Sequence, residues 1–208
     1  MRISELSAKS GVALPTVKYY LREGLLHQGL QTAATRAEYD ESHLRRLRLI
    51  RALLEVGKLP VAAIKQIIEA VEDDSLPIHE MLGTAHYALG PTVEPGPGED
   101  WRLARAEVDR LLDDLGWNIH PAAPTRDELA QTLVKMRQLG LPVDLKPYVE
   151  AAARLVSEFE MDLVPFQGPR DAAVETLVVG TVLYGRALDT LRRMAQESES
   201  ARRLRPHP

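Results

Sequence analysis

The stretch from Met1 to Leu26 constrains this chain more than any other, because it reads as two short helices around a tight glycine corner. Ile3, Leu6 and Ser7 recur at helical period, and Gly11 stands where a first helix must stop and reverse. Val12 plugs the corner. Pro15 suits the first turn of a second helix, where its missing N–H has no intrahelical partner to lose. Val17, Tyr20 and Leu21 then form an inner stripe, and Gly24 ends the helix. The stretch from His27 to Tyr39, with Arg36 as its cation, follows as a wing, with room for a small hairpin.

The other side of the second helix carries Thr16, Lys18, Tyr19 and Arg22. Those residue types fit docking in a DNA groove: Lys and Arg reach phosphates, while hydroxyls reach phosphates or base edges. Asp40 is placed to cap a third helix that runs to Val56, with Leu44, Leu47, Ile50 and Leu54 on one side and Gly57 as its stop. Arg45, Arg46, Arg48 and Arg51 fall mostly off that stripe, as a solvated basic face or as phosphate contacts. A fourth helix, from about Val61 to Val71, buries Ile64, Ile67, Ile68 and Val71.

Several of these segments together resemble the MerR transcriptional regulators: Ile3-Ser-Glu-Leu-Ser-Ala-Lys-Ser-Gly-Val12, Thr16-Val-Lys-Tyr-Tyr20 and Arg22-Glu-Gly-Leu-Leu26. Tyr39-Asp-Glu-Ser-His-Leu44, the run Arg45 to Arg51, and Gly57-Lys-Leu-Pro-Val61 followed by Ile64 continue the pattern. The resemblance covers residues 1 to about 72, and its weight lies in several motifs occurring in order. Lys18 stands where most members have Arg, and Glu38 stands where most have a wing Arg, with Arg36 two residues earlier to take over. The resemblance implies a homodimer on a promoter with inverted half-sites, and RNA polymerase as a further partner. The DNA-contacting set it suggests is Arg2, Ser4, Pro15, Thr16, Lys18, Tyr19, Tyr20, Arg22, Arg36, Tyr39, Arg45 and Arg46.

Charge separates the front of the chain from its body. Residues 1–70 hold 11 Lys and Arg against 7 Asp and Glu, net +4, while residues 71–208 hold 15 against 23, net −8. A basic front on an acidic body keeps a nucleic-acid contact local. The chain has no cysteine, which excludes disulfides, thiolate metal sites and thiol redox sensing. Its start leads straight into an amphipathic helix and no apolar run approaches a membrane span, so a cytoplasmic protein without a membrane partner is expected.

Beyond residue 72 the pattern is helical throughout. A short helix from Ile78 to Leu89 precedes a Pro/Gly stretch, Gly90 to Glu99. Helices then follow at Asp100–Leu115, at about Thr125–Leu139 with Thr125-Arg-Asp-Glu128 as a capping box, at about Leu145–Leu163, and at Arg170–Ser200. The last has a middle, Thr176 to Tyr184, that is apolar on nearly every side and so calls for burial all round. Its stretch from Ala187 to Ala195 is a candidate for pairing two chains, as is the 78–89 helix.

The expected fold is all-α: a winged helix-turn-helix domain over 1–75, a connecting helix and linker over 76–98, and a helical bundle over 99–208 for effector binding or dimerisation. That body resembles effector domains attached to actinobacterial-type MerR regulators. Trp117 and Tyr148 flank breaks between helices, where clefts form, and are its candidate small-molecule contacts. His79 and His86 are seven residues apart, too far for a metal pair on one helix, and Glu158, Glu160 and Asp162 point to different helix faces. No metal site, cofactor or enzyme is read: there is no nucleophile elbow, phosphate-cradling loop, cysteine nucleophile or His-Glu-Xaa-Xaa-His helix. The leading function is a MerR-type DNA-binding transcriptional regulator. The alternative is a ligand-sequestering resistance protein with a secondary DNA-binding part.

Overall fold

In a computed structural model, which describes residues 1–33, 36–91 and 93–204, the chain is almost wholly helical. Helix α1 (Ile3–Ser10) ends at Gly11, whose φ of 68° is the left-handed turn that a side chain disfavours. Helix α2 (Leu14–Arg22) starts with Pro15 in its first turn and is followed by Gly24 at φ 73°. Strands β1 (Leu30–Ala33) and β2 (Arg36–Glu38) pair antiparallel, Leu30 opposite Glu38, with a bulge between Gln31 and Ala33. They form the wing; its turn at residues 34 and 35 lies outside the described residues.

Helix α3 (Glu41–Arg51) is capped by Asp40, whose carboxylate accepts the Ser42 N–H at 2.9 Å. The expected single helix to Val56 instead closes in a π-helical turn, Ala52–Val56. Gly57 does not take the left-handed stop either; Lys58 does, at φ 56°. A Cβ on Gly57 would meet the Leu53 carbonyl oxygen at 2.9 Å and Val178 at 3.3 Å, so close approach explains this glycine. Helices α4 (Val61–Glu72) and α5 (Ile78–Leu89) follow. The core of this part gathers Leu6, Val17, Leu25, Leu26, Leu47, Leu49, Ile50, Leu53, Ile64 and Ile67, all nearly or wholly without solvent contact.

Helices α6 (Glu99–Leu115), α7 (Pro124–Gln138), α8 (Lys146–Leu155) and α9 (Arg170–Arg203) complete the chain. The Thr125 capping box does not form: the N-cap is Ala123, two residues sooner, with Pro124 in the first turn of α7. The helix expected over 145–163 divides into α8, a π turn at Val156–Glu160 and a 3-10 turn at Met161–Leu163.

Two compact units emerge, one from Met1–Leu82 with Val164–Pro208, the other from Gly83–Leu163. Helix α9 therefore belongs with the N-terminal elements, unlike the grouping over 99–208 that sequence suggests. It packs on α3, on the π turn after it and on α4. Arg170 explains the attachment. Its guanidinium donates to the carbonyls of Ala70, Val71, Asp73 and Leu76 at 2.9–3.0 Å, capping the last turn of α4 with a cation. Beyond that joint, Ala173, Val174, Leu177 and Val178 are buried, whereas every residue from 183 to 198 is exposed. The expectation of a middle buried all round does not hold: burial is confined to one face of the first turns.

The second unit rests on α6 and α7. Ala104, Val108 and Leu112 pack on Ala130 and Leu133. Arg105 reaches Asp127 at 2.8 Å and the Pro121 carbonyl at 3.1 Å, and also holds Asp109, to which Arg126 donates at 2.5 Å. Among the described residues, no helix is long and apolar enough to cross a membrane.

Candidate nucleic-acid interface

Helix α2 sorts its residues cleanly. Val17 and Tyr20 face the core, at 0% and 7% exposure. Pro15, Lys18, Tyr19 and Arg22 are all exposed, and their spacing of three, four and seven residues puts them on one face. The Arg22 guanidinium carbon lies 5.3 Å from the centre of the Tyr19 ring, a cation–π contact that orients the cation without burying it. Glu23 is drawn to the side, ion-paired with Lys65 at 3.7 Å and with Arg22 at 3.5 Å. Thr16 is half-buried at the edge of this face. Arg2 and Ser4, at the start of α1, are exposed as well.

The wing is anchored at its root. The Tyr39 N–H donates to the Met1 carbonyl at 2.8 Å, and the Met1 ammonium donates back to the Tyr39 carbonyl at 2.6 Å. Gly29 permits the close pass there, since a Cβ would sit 2.7 Å from the Glu38 carbonyl oxygen and 3.0 Å from the Tyr39 ring. The Tyr39 ring meets His43 edge-on, with centres 5.0 Å apart, and His43 in turn stacks on His27 at 3.8 Å. Burial, with His43 and Arg46 nearby, pushes the His27 imidazole below its ordinary value. Arg36 is exposed on β2.

Four of the residues that sequence suggests for DNA contact stand elsewhere. Arg46 is 6% exposed and lies 2.9 Å from the Glu72 carboxylate, out of line for a hydrogen bond, so it has no free path to a phosphate. Arg45 is turned to Asp171 of α9 at 3.4 Å. Both corrections have one cause: α4 and α9 bring carboxylates to the flanks of α3, and the arginines neutralise them. Arg51 is likewise committed, to Glu55 at 3.0 Å. Tyr20 and Tyr39 are buried, and burial raises both phenols above their ordinary range, so their rings serve packing first.

In the second unit, Trp117 and Tyr148 are exposed, at 39% and 58%, and line neither of two clefts among the described residues there. The larger cleft, about 770 Å³, is walled by Trp101 with Glu94, Asp100, Gln131 and Lys135. Trp101 is the residue that sequence reading passed over. Its signal is the adjoining Pro/Gly stretch, for a Cβ on Gly96 would come within 3.2 Å of the Trp101 side chain.

Known proteins share this architecture. Residues 1–71 match the family model described as MerR HTH family regulatory protein. The chain is 32% identical over 135 residues to HTH-type transcriptional regulator HmrR of Sinorhizobium medicae (strain WSM419), which covers 63% of this chain and 87% of that protein. Heavy metal-dependent transcription regulator 2 of Rhizobium meliloti (strain 1021) is 26% identical over 134 residues, 62% of this chain and 86% of that one. The crystal structure of SCO5550, a candidate transcriptional regulator from Streptomyces coelicolor A3(2), superposes over 100% of both chains with a TM-score of 0.76 and 39% identity.

Proposed function

This chain belongs to the MerR family of helix-turn-helix transcription regulators, and from that premise we propose that it binds an inverted-repeat promoter site as a homodimer in the cytoplasm. Helix α2 lies in the major groove, with Lys18 and Arg22 on phosphates, Thr16 and Tyr19 near base edges, and Pro15 at the leading turn. Arg36 of the wing, with Arg2 and Ser4 of α1, holds the flanking backbone. The observation that carries this reading is the outward face Pro15, Lys18, Tyr19 and Arg22, set against the locked inner pair Val17 and Tyr20.

The second copy pairs through the distal part of α9, where Leu183, Leu188, Leu191 and Met194 are exposed at 46–61%. With Ala187 and Ala195 they recur at the spacing of a helix seam. A single module of this size buries too little for specific recognition, and two copies read a palindrome. The cleft beside Trp101 takes a small-molecule effector: the indole offers an apolar wall, while Glu94 and Asp100 favour a cationic group. RNA polymerase is the further partner at the promoter.

Footprinting on the promoter upstream of the chain's own gene tests the reading. The expected result is a protected site with twofold symmetry and half-sites about one or more helical turns apart. Protection no stronger than on random duplex would overturn it.

A further inference from the structure

Among the described residues, one group of side chains gathers metal-ligating atoms: those of His27, Asp40 and His43 lie within 4.8 Å of one another. The group joins the segment leading into the wing to the first turn of α3. His43 Nδ1 is 2.8 Å from Asp40 Oδ1, and His27 Nε2 is 2.9 Å from Ser42 Oγ, which itself stands 2.5 Å from Asp40 Oδ1.

Asp40 Oδ1 accepts from Ser42 N at 2.9 Å and from Ser42 Oγ at 2.5 Å. His43 Nδ1 stands 2.8 Å from Asp40 Oδ1 and 3.1 Å from the Asp40 nitrogen, so a proton on Nδ1 serves the carboxylate, and its loss leaves a lone pair that can ligate. A divalent ion between Nδ1 and Oδ1 would take the place of that proton and hold the same two atoms together.

We propose that His27, Asp40 and His43 bind a divalent ion of borderline softness, zinc(II) first. Two imidazoles and one carboxylate suit that ion, and with three protein donors it keeps a position for water. Metal–ligand bonds of about 2.0–2.2 Å place donors on one ion roughly 3–3.5 Å apart. The widest pair therefore closes by about 1.5 Å, through rotation of the exposed Asp40 carboxylate and of the His27 ring out of its stack on His43. Bound there, the ion ties the root of the wing to α3. Local spacing hides the set, because His27 is separated from Asp40 by the whole hairpin.

The test uses the full chain and zinc(II) alone, without DNA, so its outcome does not depend on the reading above. Titration calorimetry of the apo protein near neutral pH should give one saturable equivalent. Loss of an outer-shell partner already weakens metal sites by about 10–100-fold, so removing a donor in His27→Gln or Asp40→Asn should cost tenfold or more. Asn still caps a helix, so Asp40→Asn separates ligation from folding, and thermal melts of both metal-free variants should match the wild type. Cobalt(II) should show visible absorption in the wild type that His27→Gln abolishes. The control His79→Gln with His86→Gln should bind as the wild type does. Absence of saturable binding, or equal binding by His27→Gln and Asp40→Asn, would overturn the proposal, as would loss of binding in the control.

Discussion

On α2 the cations Lys18 and Arg22 lie outward, whereas on α3 Arg45 and Arg46 turn aside to Asp171 and Glu72. Both helices are short, amphipathic and basic, and local pattern alone gives them the same prospects. What differs is which acids the rest of the chain delivers. Helices α4 and α9 place carboxylates along α3, and on α2 Glu23 stands at the rim, shared between Arg22 and Lys65. A cation's role is thus set by the charge that tertiary packing brings to it, more than by its spacing on its own helix.

Arg170 is the strongest case of inward commitment. Four backbone carbonyls depend on it, two in the last turn of α4 and two just beyond, and charge-assisted hydrogen bonds are worth about 1.5–3 kcal/mol when one is removed. Arg170→Ala should lower stability by about 3 kcal/mol, roughly 10 °C in Tm by thermal melting. Arg46→Ala should cost less, about 2 kcal/mol, because its partner Glu72 is half-exposed and regains water when left alone. Its further expected signature is an unchanged slope of log K against log salt for DNA binding. A flatter slope would make Arg46 a phosphate contact after all and would erase the contrast between the two helices.

Lys18→Ala supplies the opposite signature. Each phosphate contact releases about 0.9 counterions, so the slope should flatten by about one unit while stability stays within about 0.5 kcal/mol of wild type. A slope equal to that of the wild type would remove Lys18 from the interface.

The same contrast shows how far the residues alone lead. The winged helix-turn-helix was legible because it is written locally: Gly11 and Gly24 at their turns, Pro15 in a first turn, Asp40 as a cap, and Val17 with Tyr20 at helical spacing. The outward face of α2 was legible for the same reason. Arg45 and Arg46 were not, since Glu72 and Asp171 lie far along the chain from them, and nothing in α3 announces their arrival. The place of α9 was hidden likewise. Its apolar run calls for cover, but Arg170 and the space left by Gly57 decide that α3, the π turn and α4 provide it for the first turns only.

Glu175 offers the smallest and most selective probe of the α3–α9 flank. It stands one turn after Asp171, so α9 presents two acids toward the arginine side of α3. Burial raises its carboxyl above the ordinary value, which the attraction of Arg48 only partly offsets and the neighbouring Asp171 reinforces. A carboxyl raised in the folded state binds its proton more tightly there than when unfolded. Its contribution is therefore fully present below the unfolded value of about 4.3 and is lost as pH rises through the higher folded value. Glu175→Gln removes that dependence. Measured by denaturant unfolding, the variant should gain on the wild type between pH 4 and pH 7, with m unchanged. If it instead loses ground over that interval, the Arg48 pairing outweighs burial, and Glu175 joins Asp171 and Glu72 as an acid that holds an arginine of α3 in place.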